Sequence, residues 1–258
     1  MLKLRTIALT TIMTTAVSQV AFARGHSQAA SKQQKSTNNE MDKTSAPRES
    51  AFTTSGLAGY NSTTISSADG EGKTTKLKMA GPIVGIEALG GFKMGQNAKF
   101  NLGIAIVHKS LSGQYKPEGY ADLVAKYNVN LTTANIIINP MWSIGSKGHL
   151  GPMLAYEKLI NGDFTSTVNG TVPVHYEPSS TNATDQDNIE INATSKQKLK
   201  DWDLFHYGVR GLLDVTKNFH LGSEATIAQG TSGTRSDSNS VPSKTSSFEL
   251  TALAGLSF

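Results

Sequence analysis

The sequence predicts an all-β fold, an antiparallel up-and-down transmembrane β-barrel of about eight strands with short periplasmic turns and long external loops. Three observations support this. Long segments carry apolar residues at every second position, short and long connections alternate between them, and the chain finishes inside such a segment, SSFELTALAGLSF, on Phe258. Membrane-spanning strands need roughly 9–11 residues, whereas strands of globular proteins average about 5–6.

Composition agrees with this fold class and excludes several kinds of site. The 258 residues contain no cysteine, so disulfides and cysteine-based metal or redox centres are excluded. The hydrophobic share of 38% is low, and Gly, Ser, Thr and Asn are abundant, as in β proteins with many turns. The net charge of +4 is not gathered in a basic cluster, so we expect no nucleic-acid partner.

The N-terminal segment resembles an export signal. Lys3 and Arg5 precede an apolar stretch and an Ala21-Phe22-Ala23 cleavage pattern, so residues 1–23 are predicted to be a secretory signal peptide. A membrane anchor is the alternative, but the apolar stretch is shorter than the roughly 20 residues that a span needs. Residues 24–49 carry one large hydrophobe, Met41, and are predicted to be a disordered polar leader. The barrel domain is then residues 50–258.

Eight strand-like segments follow the leader, at residues 51–63, 74–93, 98–113, 121–143, 149–162, 199–215, 219–232 and 245–258. The second, fourth and sixth connections are tight: MGQN, IGSKG and TKN. The other four are longer and polar, and the fifth exceeds thirty residues. This alternation is typical of antiparallel outer-membrane barrels, whose turns lie at one end and loops at the other.

The period of two assigns each side chain to a face. In the sixth segment, Phe205, Tyr207 and Val209 share one face and His206 and Arg210 share the other. The third segment likewise places Phe100, Leu102, Ile104 and Ile106 opposite Asn101, Gly103, Ala105 and Val107. In a membrane barrel the apolar face meets lipid and the polar face lines the lumen.

The fourth segment changes phase along its length. Tyr127, Val129 and Leu131 begin on the outward face, but further along Ile136 occupies it instead. A β-bulge near Thr132–Thr133 would produce this change.

Two segments resemble each other, GPIVGIEAL (81–89) and GPMLAYEKL (151–159), and place Glu87 and Glu157 on the polar face. Two hairpins built alike explain this, and an ancient duplication with a shared ligand site is the alternative. Buried charges are costly unless paired, so the lumen charges should form a network around Arg210. The predicted members are Glu87, Lys109, Lys126, Glu157, Arg210, Asp214, Glu224 and Glu249. A plugged polar core is favoured over an open pore, since eight strands leave room only for side chains.

Catalytic and cofactor sites are not expected. A catalytic site of lipid-modifying type would need His, Ser and an acid together, and His220 and Glu224 share a face that Ser223 does not. His206 stands alone as a second candidate. The remaining histidines do not have metal-ligand spacing, so we expect neither metal nor cofactor.

The long fifth connection contains Asn169-Gly170 between β-prone runs, which predicts a hairpin turn there. The fifth and sixth strands would then extend above the membrane as an external hairpin, with Pro173 favouring an edge position for its second arm. The residues proposed to contact a partner are Val172, Val174, His175 and Tyr176. A solvated, variable loop is the alternative.

With its export signal, alternating strands, turn and loop asymmetry and terminal Phe258, the chain resembles the small bacterial outer-membrane β-barrel proteins. These include the membrane domain of outer-membrane protein A, outer-membrane protein X and the opacity-type adhesins. The resemblance covers residues 50–258 and is architectural. It implies insertion by the barrel-assembly machinery, which reads a C-terminal strand ending in an aromatic residue. The residues of that signal would be Leu250, Ala252, Ala254, Leu256 and Phe258, and Leu253 stands where some members carry Gly.

We therefore expect a monomeric, non-enzymatic surface barrel in the bacterial outer membrane, in contact with its lipid. Its external loops would serve adhesion to a host or matrix ligand, immune evasion or envelope stability. A narrow channel for small solutes is the alternative, and a lipid A-modifying enzyme or a soluble periplasmic barrel of lipocalin type is less favoured.

Overall fold

The structure, a computed structural model, describes residues 50–68, 74–116, 122–174, 187–234 and 243–258. The predicted signal peptide and leader lie outside these residues. Eight strands are present: β1 (Ser50–Ala68), β2 (Thr74–Lys93), β3 (Ala98–Tyr115), β4 (Val124–Ile144), β5 (Gly148–Val174), β6 (Asp187–Asp214), β7 (Phe219–Thr234) and β8 (Ser243–Ser257). Among the described residues, none forms a helix of sufficient length and apolarity to cross a membrane.

The strands form a closed barrel. Each strand pairs with the next one along the chain in antiparallel orientation, and β8 pairs with β1. Closure extends to the last residue, because the Phe258 amide donates a hydrogen bond of 2.9 Å to the Phe52 carbonyl. The predicted all-β, up-and-down, eight-stranded architecture is confirmed.

The strands are staggered around the barrel. Partners followed once around from Thr53 return to β1 at Thr63, ten residues further along. The intermediate partners are Leu89, Gly103, Ile137, Ala155, His206, Ala228 and Ser247. A stagger of this kind requires strands tilted to the barrel axis, typically by about 35–45°, and eight strands enclose an interior that side chains fill.

The three predicted tight turns are present, over residues 94–97, 145–147 and 215–218. In the second of them Gly145 has a φ of 67°, a left-handed conformation that glycine adopts without steric cost. These turns lie at one end of the barrel, which we call the turn end. The opposite end carries the long connections and is called the loop end.

The face assignments for β3 and β6 are confirmed. Leu102 and Ile104 of β3 are exposed while Asn101, Ala105 and Val107 are buried. In β6, Phe205, Tyr207 and Val209 are exposed while His206 and Arg210 are buried in the lumen. One face of each strand therefore points out and the other in, as a period of two requires.

The phase change predicted for β4 is wrong. Odd-numbered residues of β4 point inward along its whole described length, and Val129 and Leu131 are fully buried. A register shift does lie between Thr132 and Thr133, as predicted, but the extra residue is Ile160 on β5. The phase therefore changes on β5, because a bulge reverses the facing of the strand that contains the unpaired residue. On β6, Lys200 is skipped in the pairing with β7 in the same way.

The prediction of a hairpin turn at Asn169-Gly170 is also wrong. Strand β5 continues through these residues to Val174, and Asn169 and Gly170 pair with Asn192 and Ile191 of β6. Gly170 has a φ of 143°, and a Cβ there would lie 2.0 Å from the Asp122 carbonyl oxygen. The glycine permits close approach to the chain just before β4 rather than a turn. The connection from β5 to β6, residues 175–186, lies outside the described residues.

Two apolar clusters occupy the lumen. The lower cluster contains Leu57, Ile83, Leu89, Ala105, Val107, Ile137, Met153, Ala155 and Leu253. The upper cluster, nearer the loop end, contains Met79, Leu111, Val129, Leu131, Leu199, Trp202, Leu204 and Ala228. The lumen is thus more apolar than a polar-inside pattern predicts.

The outer face carries a band of exposed apolar side chains. Its aliphatic members include Val84, Ile86, Leu102, Ile104, Ile136, Ile138, Leu154, Val209, Leu213, Leu221, Leu250 and Leu256. Near the turn end, aromatic residues border it: Phe52, Phe92, Phe100, Trp142, Phe219 and Phe258. Toward the loop end the aromatic residues are Tyr60, Tyr156, Phe205, Tyr207 and Phe248. Two aromatic girdles around an apolar band are typical of transmembrane barrels.

Candidate functional site

The best-defined polar site lies inside the barrel and consists of two ion-pair groups. The first, here the Arg210 group, joins β6 to β2 and β7. Arg210 donates from its two terminal nitrogens to Glu87, at 3.1 and 2.8 Å. It also donates from Nε and Nη2 to Glu224 Oε2, at 2.9 and 2.6 Å. All three side chains are at most about a tenth exposed, so this forked, charge-assisted geometry is almost fully enclosed.

The second, here the Lys109 group, joins β3 to β5, β6 and β8. Lys109 Nζ lies 2.7 Å from a carboxylate oxygen of Glu157 and 2.5 Å from Glu249. His206 Nε2 lies 2.6 Å from the other Glu157 oxygen. Asn61 Nδ2 donates to Glu249 at 2.6 Å, so the second acid also has a neutral partner. We call the Arg210 and Lys109 groups together the charged layer.

Local sequence explains how these residues meet. His206 and Arg210 are four positions apart on β6 and therefore point to the same side of the sheet. The two similar segments place Glu87 and Glu157 on the inner faces of β2 and β5. The acids belong to different groups, because Glu87 contacts Arg210 and Glu157 contacts Lys109.

Six of the eight residues predicted for the lumen network lie in the charged layer, and Lys126 and Asp214 do not. Lys126 is exposed, because even-numbered residues of β4 point outward. Asp214 faces the lumen but lies at the turn end, where its carboxylate is 3.0 Å from His149 Nε2. His206 and Asn61 are members that sequence reasoning did not assign to the network. Their positions on inward faces were the available signal.

The residues considered for catalysis do not converge. His220 and Glu224 point inward, whereas Ser223 is exposed on the outer face. His220 instead lies 3.0 Å from Ser55 Oγ and 3.3 Å from Ser257 Oγ. His149, between Ser143 at 3.3 Å and Asp214, forms another hydrogen-bonded group at the turn end. His220 and His149 therefore each link strand ends near the turn end.

One combination of side chains in the described part has metal-ligand geometry. Atoms of Glu157, His206 and Glu249 lie within 4.8 Å of one another. The ammonium of Lys109 contacts both of these carboxylates, so a cation of the protein already occupies the position that a metal would take.

A small cavity lies between the two ion-pair groups. Its polar lining comes from eight residues, and the rest of the lining is apolar and belongs to the lower cluster. The eight are Glu87, Asn135, His206, Arg210, Glu224, Thr226, Glu249 and Thr251. Its volume of about 10 Å³ is near the lower limit for one water molecule. Around it the lumen is filled by side chains.

The proposed contact residues lie at the loop end. Val172 and Val174 belong to β5, and His175 and Tyr176 lie outside the described residues. The β5–β6 hairpin extends from Asp163, paired with Lys198, to Val174, paired with Asp187. Lys198 Nζ, 2.8 Å from Asp163, lowers the pKa of that carboxyl through its hydrogen bond and charge.

The C-terminal strand presents the predicted assembly residues outward. Leu250, Ala252, Ala254, Leu256 and Phe258 are all exposed on the apolar band. Leu253, the residue that breaks the alternation in the sequence, is buried in the lower apolar cluster.

Comparison with known proteins gave no match to a protein-family model and none to a curated protein. Among solved structures, the chain is similar to Ail, the attachment invasion locus protein of Yersinia pestis, with 12% identity and a TM-score of 0.37. That match covers 80% of this chain and 99% of Ail. It is also similar to the outer membrane protein OprG of Pseudomonas aeruginosa, with 10% identity and a TM-score of 0.38 over 81% of this chain and 96% of OprG. The outer membrane protease OmpT of Escherichia coli matches with 12% identity and a TM-score of 0.35, over 82% and 97% of the two chains. Identities this low carry no information about function, so the chain is described by its own fold, a closed eight-stranded antiparallel barrel.

Proposed function

We propose that the chain is a non-enzymatic surface barrel of the bacterial outer membrane, which anchors external loops for adhesion, immune evasion or envelope stability. The observation that carries this is the combination of an apolar outer band, bordered by aromatic residues at both ends, with a filled and charged interior. Soluble monomers rarely expose contiguous apolar patches larger than a few hundred Å². A closed barrel leaves no unpaired strand edge to face lipid.

The β5–β6 hairpin supports the role in display. Beyond the apolar band its strands are rich in polar residues, among them Thr165, Thr167, Asn169, Thr194 and Lys196. Backbone pairing continues to the end of β5, so the hairpin is a rigid ribbon rather than a loose loop. Such a ribbon would carry the end of β5 away from the apolar band, where a host or matrix ligand would contact residues around Val172–Tyr176.

Location is tested by fractionation and surface proteolysis of cells that express the full chain. We expect the protein in the outer-membrane fraction, with gel mobility that changes on heating. We expect protease added to intact cells to cut only within the long connections. Recovery in the soluble periplasmic fraction would support the lipocalin-type alternative and contradict the proposal.

Conductance separates the surface barrel from a narrow channel. The charged layer is a feature that a selective channel also has, but the upper apolar cluster of buried side chains lies beside it and favours a blocked lumen. We therefore expect no steady single-channel current in planar bilayers, either from the natural chain or from Trp202→Phe. Steady currents that change with Arg210→Ala would establish the channel instead.

Assembly is tested by removing Phe258. Its side chain is about half exposed in the turn-end girdle, and its amide closes the last hydrogen bond to β1. The truncated chain should still be exported but should give less of the heat-modifiable form. Phe92→Ala is the control, because it removes a side chain of the same size from the turn-end girdle and leaves the C-terminal strand intact. Normal assembly without Phe258 would contradict recognition of this strand by the barrel-assembly machinery.

A further inference from the structure

We propose that the lumen binds one small monovalent cation of the size of Na⁺ in the cavity between the Arg210 and Lys109 groups. Its ligands would be oxygen atoms of Glu224, Glu249, Asn135 and Thr251, all of which line that cavity. The proposal depends on the lumen geometry and not on the function of the external loops.

The first argument is charge. The charged layer contains four carboxylates, on Glu87, Glu157, Glu224 and Glu249, and two permanent cations, Lys109 and Arg210. With all four acids ionised, the layer has two more negative than positive charges, and His206, which contacts Glu157, can offset at most one of them. An uncompensated charge in a low-dielectric interior is costly.

Neighbouring charges do not remove this excess. At the turn end Lys99 of β3 interacts electrostatically with Asp214 and offsets it in formal charge. His149 bonds to Asp214, and His220 bonds to serine hydroxyls. The upper apolar cluster on the other side contains no charged residue. The compensating charge is therefore expected within the charged layer itself.

The second argument is two polar atoms without partners. Asn135 Oδ1 and Thr251 Oγ1 are completely buried and form no hydrogen bond, and their residues are only 7% and 2% exposed. Buried polar atoms nearly always have a partner. Both residues line the cavity together with Glu224 and Glu249, so amide, hydroxyl and carboxylate groups meet there. Arg210 also lines it, but its guanidinium is bonded to Glu87 and Glu224. Oxygen ligands of this kind suit hard cations.

The third argument is size. A cavity of about 10 Å³ accepts a particle no larger than a water molecule. A bare monovalent ion of the size of Na⁺ meets this limit, whereas a divalent ion such as Mg²⁺ keeps several of its waters and does not. The place between Glu157 and Glu249 is filled by Lys109, which leaves the cavity itself as the site.

The experiment compares thermal unfolding of the folded full-length barrel in detergent, in sodium chloride and in choline chloride at equal ionic strength. Binding to the native state alone raises the unfolding temperature in a saturable way. We expect sodium, but not choline, to produce this rise, and Thr251→Val to weaken the apparent sodium affinity several-fold. Thr133→Val is the matched control, because Thr133 is a buried threonine outside the cavity lining. It should retain the sodium response.

A direct measurement keeps the proposal testable if Thr251→Val does not fold. High-resolution crystals of the natural chain grown in sodium chloride should show one peak in the cavity whose contacts to oxygen atoms of Glu224 and Thr251 are shorter than hydrogen bonds. Identical unfolding in sodium and choline would overturn the proposal and assign the missing charge to a proton. An empty cavity, or a peak at hydrogen-bond distances only, would overturn it as well and assign the cavity to water.

Discussion

The charged layer and the upper apolar cluster fill adjacent parts of one lumen in different ways. In the charged layer, Arg210 contacts Glu87, which lies 123 positions away in the chain, and each contact has a defined donor and acceptor. In the upper cluster, Trp202 and Leu131 are enclosed by side chains that contact them without directional bonds. The first arrangement depends on every charged partner being present, because an unpaired buried charge is costly. The second depends on how completely the side chains fill the available space.

The largest effect is expected where the charged layer loses its cation. Arg210→Leu leaves Glu87 and Glu224 without a partner and should destabilise the barrel by about 3–5 kcal/mol. Urea-dependent folding into lipid vesicles measures this. Adding Glu87→Gln and Glu224→Gln to the same chain should recover much of the loss, because no ionised side chain then remains in the Arg210 group. No recovery would show that packing by the Arg210 side chain dominates.

In the upper cluster, Leu131→Ala should cost about 2–5 kcal/mol, since it leaves a cavity in a fully buried position. The matched control is Ile136→Ala on the same strand, whose side chain is 55% exposed on the apolar band. It creates no internal cavity and should cost less in the same vesicle assay. Equal costs would mean that Leu131 does not pack as the structure places it.

The boundary between the two regions lies at the β5 bulge. Deleting Ile160 together with Lys200 removes the residue that each strand leaves unpaired and keeps β5 and β6 matched in length between the Lys158–Asp203 and Asp163–Lys198 pairs. Alternation should stay intact on both sides, with Glu157 and Gly162 still inward. We expect a folded barrel with a stability change of about 1–2 kcal/mol. Deleting Leu154, in a regular part of β5, should instead prevent folding, since a one-residue slip turns every side chain to the opposite face. Gel mobility with and without heating distinguishes the two outcomes.

The smallest effect is expected at the lysine that lies outside the charged layer. Lys126→Ala should change stability by no more than about 0.5 kcal/mol, because the side chain is exposed. Lys109→Met, at a completely buried position, should cost several kcal/mol because it leaves Glu157 and Glu249 unpaired. Similar costs for the two lysines would contradict the facing of β4.

Much of the barrel follows from the alternation of apolar and polar residues. The strand positions, the three tight turns and the inward placement of Glu87, Glu157 and Arg210 are all local consequences of a period of two. The facing of Val129 and Leu131 could not be obtained in this way. Both residues are apolar, and an apolar residue satisfies either a lipid-facing or a lumen-facing position.

The bulge illustrates the same limit. The pattern correctly indicated an irregularity beside Thr132, but an unpaired residue lies in one of two paired strands, and only their register shows that it is Ile160. Asn169-Gly170 is a strong local turn signal, yet the pairing of β5 with β6 continues through it. Long-range hydrogen bonding exceeded the local preference at that point.

The sequence by itself determined the strand count, the antiparallel order and the sign of the charges on the inner face, because these depend on neighbours along the chain. The tertiary structure decided which charges meet, since closure brings β2, β6 and β7 together in one group and β3, β5, β6 and β8 in the other. It also decided that apolar side chains from several strands pack together inside the barrel toward the loop end. These outcomes depend on the stagger around the barrel, a property of all eight strands together.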